Sequence, residues 1–230
     1  MDMLKYVVPP LHPEGRRFVI AAVLVTLVLF WAVTPLGWLG LVLSVYCVYF
    51  FRDPERVVPD VDGALVSPGD GVVSQITQAP PPRELDMGAD PRTRISIFLS
   101  VFNVHVNRVP AAGRITDLIY VPGKFVNAAL DKASEDNERQ IARMKTTAGH
   151  DIAFVQIAGL VARRIVCGLE VDQTVAMGER FGIIRFGSRV DVYLDGDLVP
   201  MVVEGQTVVG GETILADGRF GEPARQGRAV

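Results

Sequence analysis

The sequence predicts a mainly β chain of the α+β class: a compact sandwich- or barrel-like domain with few helices, preceded by an N-terminal membrane helical hairpin. Three observations carry this. The segment from Phe18 to Phe51 contains no charged residue. From Ala64 onward, short runs rich in Val and Ile alternate with Gly, Pro and Asp, the pattern of strands and turns. Finally, DQTVAMGER (172–180) and GQTVVGGET (205–213) share Gln-Thr-Val-x-x-Gly-Glu. Two copies of one strand-turn-strand unit would cover each other's apolar face, which neither could bury alone.

The apolar segment is interrupted by Thr-Pro-Leu-Gly at 34–37. Its two pieces, 18–33 and 36–51, would each run about 24 Å as helix, a little short of a ~30 Å hydrocarbon core. Pro35 and Gly37 disfavour one unbroken helix. Arg16 and Arg17 precede the segment and Arg52 and Arg56 follow it, which puts both ends on the cytoplasmic side. A single tilted span with an exported domain is the alternative. FFRDPER is a poor signal-peptide cleavage site.

The Pro- and Asp-rich linker FRDPERVVPDVDG follows, so residues 1–51 read as the anchor and 52–230 as the folded domain. Strands are expected in ALVS, GVVSQI, RISIFLSVFNVHVNRV, GRITDLIYV, DIAFVQIAG, RRIVCGLEV, GIIRFGSRVDVYL and MVVEGQTVV. APPPRELDMGADPRT (79–93) reads as an exposed loop. One helix is expected near KFVNAALDKASEDNERQIARM, with NER either helix or loop.

Composition excludes several classes. A net charge of −3 gives no electrostatic footprint for nucleic acid. Cys47 and Cys167 lie far apart, and His12, His105 and His150 come without a CxxC, so neither a disulfide framework nor a metal site is expected.

In IIRFGSRVDVYL (183–194), Ile184, Phe186, Ser188, Val190, Val192 and Leu194 would share one strand face. Arg185, Arg189, Asp191 and Tyr193 would point the other way, as in a half-buried strand. A glycine inside such a run marks a bulge or a close backbone approach, and a hydroxyl on an apolar face needs a partner or a purpose. From the pattern alone, Gly187-Ser188 is a kink with a satisfied serine.

A wider set of motifs changes that reading. FFRDPER (50–56), SPGDG (67–71), IFLSVFNVHVNRVP (97–110), YVPGKFVNA (120–128), NER (137–139), IAGLVARRIV (157–166) and RFGSRVDVYL (185–194) stand in one order along the chain. Together they resemble the phosphatidylserine decarboxylase family, in its shorter bacterial and archaeal-type branch. The resemblance runs from about residue 48 to 216.

The resemblance implies a proenzyme that cuts itself between Gly187 and Ser188, giving a large chain 1–187 and a small chain 188–230. Ser188 would become a covalent pyruvoyl group, the cofactor. The substrate amine would form a Schiff base with it, phosphatidylserine losing CO2 to become phosphatidylethanolamine. Ser188 is thus the catalytic and cofactor-forming residue and Gly187 its partner at the cut. His105 is the candidate base; a satisfied core histidine is the alternative. Asp70 is the candidate partner fixing the imidazole tautomer, or else a turn aspartate in Pro-Gly-Asp-Gly. Arg108 and Phe186 are the candidate substrate contacts. Arg108 stands where the longer branch has a second histidine, so its role as lipid-phosphate or carboxylate fork, processing partner or surface residue stays open.

The implied partners are a phospholipid and the inner cell membrane on its cytoplasmic side, with no nucleic acid and no metal. A membrane-anchored adaptor without catalysis and a pyruvoyl enzyme acting on a soluble amino acid are the competing readings.

Overall fold

A computed structural model of the chain describes residues 9–123, 137–159, 164–185 and 187–218. The chain divides into two compact units, Met1–Glu55 and Arg56–Val230.

In the first unit a 3₁₀ turn (Pro13–Gly15) leads into α1 (Arg16–Ala32), and α2 (Thr34–Phe50) follows after a single residue. That residue, Val33, is extended at φ −148° and ψ 98°. Pro35 explains the break, because in a continuous helix its ring would strike the carbonyl one turn back, whereas in the first turn of α2 its missing N–H costs nothing. The helices fold back on one another through small residues. A Cβ at Gly37 would lie 2.3 Å from Phe30 Cδ1, and one at Gly40 2.9 Å from Thr26 Oγ1. The buried Thr26 and Ser44 hydroxyls are 2.9 Å apart. The outward faces stay apolar, with Trp31, Leu24, Val28 and Val42 exposed. Pro13–Ala32, 20 residues, is long and apolar enough to cross a membrane.

Close approach at Gly37 should therefore hold the hairpin shut. A Thr26→Cys/Ser44→Cys pair is expected to cross-link on oxidation, and adding Gly37→Leu is expected to abolish the cross-link, read as a reducible band shift.

The second unit holds fourteen strands among the described residues, all paired antiparallel: β1 (Ala64–Val66), β2 (Gly71–Ala79), β3 (Arg92–Leu99), β4 (Val106–Arg108), β5 (Gly113–Val121), β6 (Arg139–Thr146), β7 (Asp151–Ala158), β8 (Ile165–Cys167), β9 (Thr174–Val175), β10 (Arg180–Ile184), β11 (Ser188–Tyr193), β12 (Val199–Pro200), β13 (Thr207–Val208) and β14 (Ile214–Asp217). Eight form one sheet, in the order β13-β2-β3-β11-β7-β6-β5-β9, and two three-stranded sheets read β1-β14-β12 and β4-β10-β8. These orders are symmetric about the β11–β7 pair. The Gln-Thr-Val repeat accounts for part of the symmetry, since β9 and β13 are its two copies and occupy opposite edges of the large sheet. Their neighbours β5 and β2 carry matching bulges, at Ile115/Asp117 and Val73/Gln75.

The main core lies on one face of the large sheet. Val73, Ile95, Ile97, Leu99, Phe154, Val190 and Val192 pack there with Leu65, Ile184 and Leu215 from the small sheets. Mainly β architecture is thus as the sequence predicts, but five local expectations are corrected. The run 183–194 is two strands: β10 ends at Ile184 in a small sheet and β11 begins at Ser188 in the large one. RISIFLSVFNVHVNRV likewise splits into β3 and β4. The helix expected over 124–144 lies outside the described residues up to 136, and from Arg139 the chain is β6. Although Glu, Arg, Gln and Ala favour helix locally, two flanking strands override that preference. The loop 79–93 contains a 3₁₀ turn (Arg83–Leu85) whose Leu85 is buried in a second cluster with Ile141, Val155, Ile157 and Tyr193.

That second cluster explains the fifth correction. The Arg189/Asp191/Tyr193 face of β11, expected to be the polar side of a half-buried strand, is buried: Arg189 is 2% and Asp191 0% exposed. The two form an ion pair, Arg189 Nε to Asp191 Oδ1 at 2.9 Å. Burial, and then the Asp191 carboxylate, push the Tyr193 hydroxyl up to about 12. The unfolded chain releases this proton at about 10, so the stability contribution is whole below that pH and is lost as pH rises through the folded value. In Tyr193→Phe, the fall in unfolding free energy between pH 10 and 12 is expected to be shallower by about 2 kcal/mol, measured by urea titration in detergent.

Candidate active site

The junction between β10 and β11 is where the sequence placed its chemistry. Gly187 adopts φ +68°, a conformation that would cost an L-residue roughly 1–2 kcal/mol, although a Cβ there would have room, with Val101 Cγ1 at 3.9 Å. Backbone conformation, not space, selects glycine. This turn lets the chain leave the small sheet and enter the large one within three residues.

Ser188 is the first residue of β11, clamped between Leu99 of β3 and Ala158 of β7. It is 0% exposed, and its Oγ has no hydrogen-bond partner among the described residues. The satisfied-serine reading therefore does not hold.

His105 is also 0% exposed. It does not ride on the strand of Ile95, Ile97 and Leu99 as expected; it follows the turn after β3 and immediately precedes β4. Its Nδ1 lies 3.0 Å from the Asn103 carbonyl oxygen, and the Gly187 N–H donates to its Nε2 at 3.3 Å. Those two contacts assign the proton to Nδ1 and make Nε2 the acceptor of the Gly187 N–H, one residue before Ser188. The Asn103 carbonyl is itself fixed, because Asn103 Oδ1 accepts from both the Ser100 N–H and the Ser100 Oγ at 2.8 Å. The Ile184 N–H also donates to the His105 carbonyl at 3.3 Å.

Asp70 is engaged at both carboxylate oxygens. Its Oδ2 accepts from Arg56 Nη2 at 2.7 Å and its Oδ1 from the Gly210 N–H at 2.8 Å. The carboxylate thus braces three segments: the linker, the SPGDG turn and the turn after β13. The SPGDG turn approaches the site through Gly69, where a Cβ would lie 3.2 Å from Leu99 Cδ2 and 3.3 Å from Asn107 Nδ2. The Nδ1 contact of His105 is the Asn103 backbone carbonyl. Arg108 is 6% exposed and donates from Nη1 to the Gly178 carbonyl at 3.0 Å. Phe186 lies outside the described residues. Cys167 is no competing nucleophile at neutral pH, since burial pushes its thiol up. His150, with Asp197 Oδ1 3.2 Å from its Nδ1, sits just before β7, at the opposite end of that strand from Ala158 and Ser188.

Sequence reasoning missed Asn103 and Arg56 as contributors. Arg56 was within reach, as the last residue of FFRDPER. A backbone carbonyl acceptor leaves no mark in a sequence.

The arrangement is a buried hydroxyl on Ser188 and an oriented imidazole on the N–H of the residue before it. A family model described as phosphatidylserine decarboxylase matches residues 43–216. The phosphatidylserine decarboxylase proenzyme of Cereibacter sphaeroides is 53% identical over 229 residues, covering 100% of this chain and 99% of its own. That of Ruegeria pomeroyi is 58% identical over 219 residues, covering 94% of this chain and 99% of its own. The chain is accordingly an enzyme of the decarboxylase class. It belongs to the phosphatidylserine decarboxylase family.

Proposed function

We propose that the chain is a membrane-associated proenzyme that cleaves itself between Gly187 and Ser188 and then converts phosphatidylserine to phosphatidylethanolamine and CO2. The observation that carries this reading is the placement of His105 Nε2 on the Gly187 amide beside an unpartnered, buried Ser188 Oγ.

In the cleavage, His105 takes the Ser188 hydroxyl proton as Oγ bonds to the Gly187 carbonyl carbon. The Gly187–Ser188 C–N bond then breaks and the proton passes to nitrogen, leaving an ester. Loss of the Ser188 α-proton and scission of Cβ–Oγ release a Gly187 carboxylate and an unsaturated residue. Water replaces that residue's nitrogen, which leaves as ammonia, so that the small chain 188–230 begins with a pyruvoyl group. The left-handed turn at Gly187 lies where the backbone passes from the small sheet of β10 to the large sheet of β11. The large chain 1–187 retains β10 and the small chain retains β11, each still paired in its own sheet.

The surroundings of Ser188 fit such a group: its Oγ, which departs in the Gly187 carboxylate, has no hydrogen bond among the described residues to hold it back, and Leu99, Ala158 and Val190 form an apolar wall. When present, the group supplies an electrophilic ketone that takes up the substrate amine and accepts the electrons left as CO2 departs. The protein's own part is to exclude water, which disfavours the ionised carboxylate, and to offer His105 as proton donor to the carbon that loses CO2. Because Ser188 and His105 are both 0% exposed in the uncleaved chain, a lipid headgroup gains access only once the cut has been made. Asp70 acts as a brace through Arg56. Arg108, between β4 and the Gly178 turn, supports the strand that follows His105.

The apolar hairpin with arginines at both ends supports membrane association with the catalytic domain, 52–230, on the cytoplasmic side. Detergent-dispersed phosphatidylserine labelled in the serine carboxyl is expected to release labelled CO2, and free serine to release none. Equal release from both substrates would remove the lipid from the proposal.

A further inference from the structure

Two residues beyond His105 stands Asn107, which is 0% exposed. Its Nδ2 donates to the Pro68 carbonyl at 3.4 Å, which turns its Oδ1 toward Gln156 of β7. Gln156 Nε2 donates to that Oδ1 at 2.8 Å. Gly182 leaves space for this contact, since a Cβ there would lie 3.2 Å from Gln156 Nε2. With its nitrogen committed, Gln156 presents its Oε1 elsewhere; this atom is fully buried and has no hydrogen-bond partner among the described residues. A buried carbonyl acceptor left without a donor is costly and calls for an explanation.

The position of Gln156 supplies one. Ala158, two residues along β7, pairs with Ser188, and Gln156 itself pairs with Val190. Alternation puts Gln156, Ala158, Ser188 and Val190 on one face of the sheet. Gln156 is therefore the diagonal cross-strand neighbour of Ser188, within reach for a long side chain. Phe154, Ala158 and Val190, its neighbours on that face, belong to the apolar core.

We infer that Gln156 Oε1 accepts an N–H of the substrate's primary amine as it enters to react at residue 188. This deepens the decarboxylase reading above and rests on it. A carbonyl oxygen in an apolar wall favours an N–H donor and repels a carboxylate, so the same contact turns the amine inward and the leaving carboxylate away from β7. Asn107 is the positioning residue that holds the amide in this orientation.

The test separates hydrogen bonding from charge by comparing two zwitterionic headgroups. Cleaved enzyme is treated with borohydride, which adds hydride to the ketone carbon and a proton to its oxygen, so that binding is read without turnover. Calorimetry then follows dihexanoyl phosphatidylethanolamine, which has N–H groups, and dihexanoyl phosphatidylcholine, which has none. Gln156→Met is expected to weaken the ethanolamine lipid about tenfold and to move the choline lipid less than twofold. Equal shifts for the two lipids, or no shift for either, would overturn the assignment. If Gln156→Met yields no cleaved chain, Gln156→Glu carries the test: it keeps an acceptor oxygen and is expected to retain the preference for ethanolamine, and its binding both lipids alike would overturn the assignment. Failure of the decarboxylase reading itself looks different, since the wild-type enzyme would then hold no reducible ketone.

Discussion

Ser188→Ala is expected to leave a full-length, folded chain that releases no CO2 from phosphatidylserine. The expectation follows from what the hydroxyl does in the uncleaved structure, where it bonds to no described residue and faces an apolar layer. Removing an unpartnered buried hydroxyl is neutral or mildly stabilising, so the thermal midpoint should stay the same or rise. The loss is therefore chemical. Without Oγ there is no nucleophile against the Gly187 carbonyl, and without cleavage there is no ketone. Denaturing gel electrophoresis reads the first consequence and labelled CO2 the second. A chain cut at 187/188 in this variant would show that another group attacks.

Substitution of His105 is the second large effect. Loss of a positioned base costs about 10²–10⁴ in rate, so His105→Ala should slow the conversion of full-length chain into two fragments by that factor, followed over hours after synthesis. The substitution also leaves a void where a fully buried imidazole stood. His105→Gln, which refills most of that volume, should therefore restore the thermal midpoint without restoring cleavage. Normal cleavage in His105→Gln would assign the imidazole to packing.

The contrast between Ser188 and His105 shows what a sequence carries. The pattern raised a question at Ser188, a hydroxyl in phase with Ile184, Val190 and Val192 on a face otherwise apolar, but by itself it read as a kink with a satisfied serine, and only the wider set of motifs made Ser188 the candidate. The break between β10 and β11 was not legible, because Gly187 at φ +68° leaves the period-2 pattern in phase across a change of sheet. His105 and Asp70 were named as candidates from residue type and resemblance, whereas the Asn103 carbonyl at Nδ1 and the Arg56 and Gly210 contacts of Asp70 could be read only from the structure. A triad read from residue types favours side-chain carboxylates, since main-chain acceptors are the same at every position.

Charge placement misled in the same way on the other face of β11. Arg189 and Asp191, spaced two apart in a strand, look like a solvated edge. Pairing on both sides with β3 and β7, and cover from the turn carrying Leu85, bury them as an ion pair. β6 is the converse case. NERQIARM has helix-forming composition, but Ile141, Met144 and Thr146 are buried between β5 and β7. The hairpin was the most legible element because its two determinants are local: an uncharged run and one proline. The structure moved the break only from the Thr34–Gly37 stretch to Val33.

Intact-mass analysis of the purified protein tests most directly whether the chain rewrites its own backbone to make its reactive group. Two fragments are predicted, 1–187 ending in a free Gly187 carboxylate and 188–230 headed by an α-keto acyl group that borohydride reduces. A single uncleaved chain in fully active material, or a short fragment that still begins with serine, would contradict it.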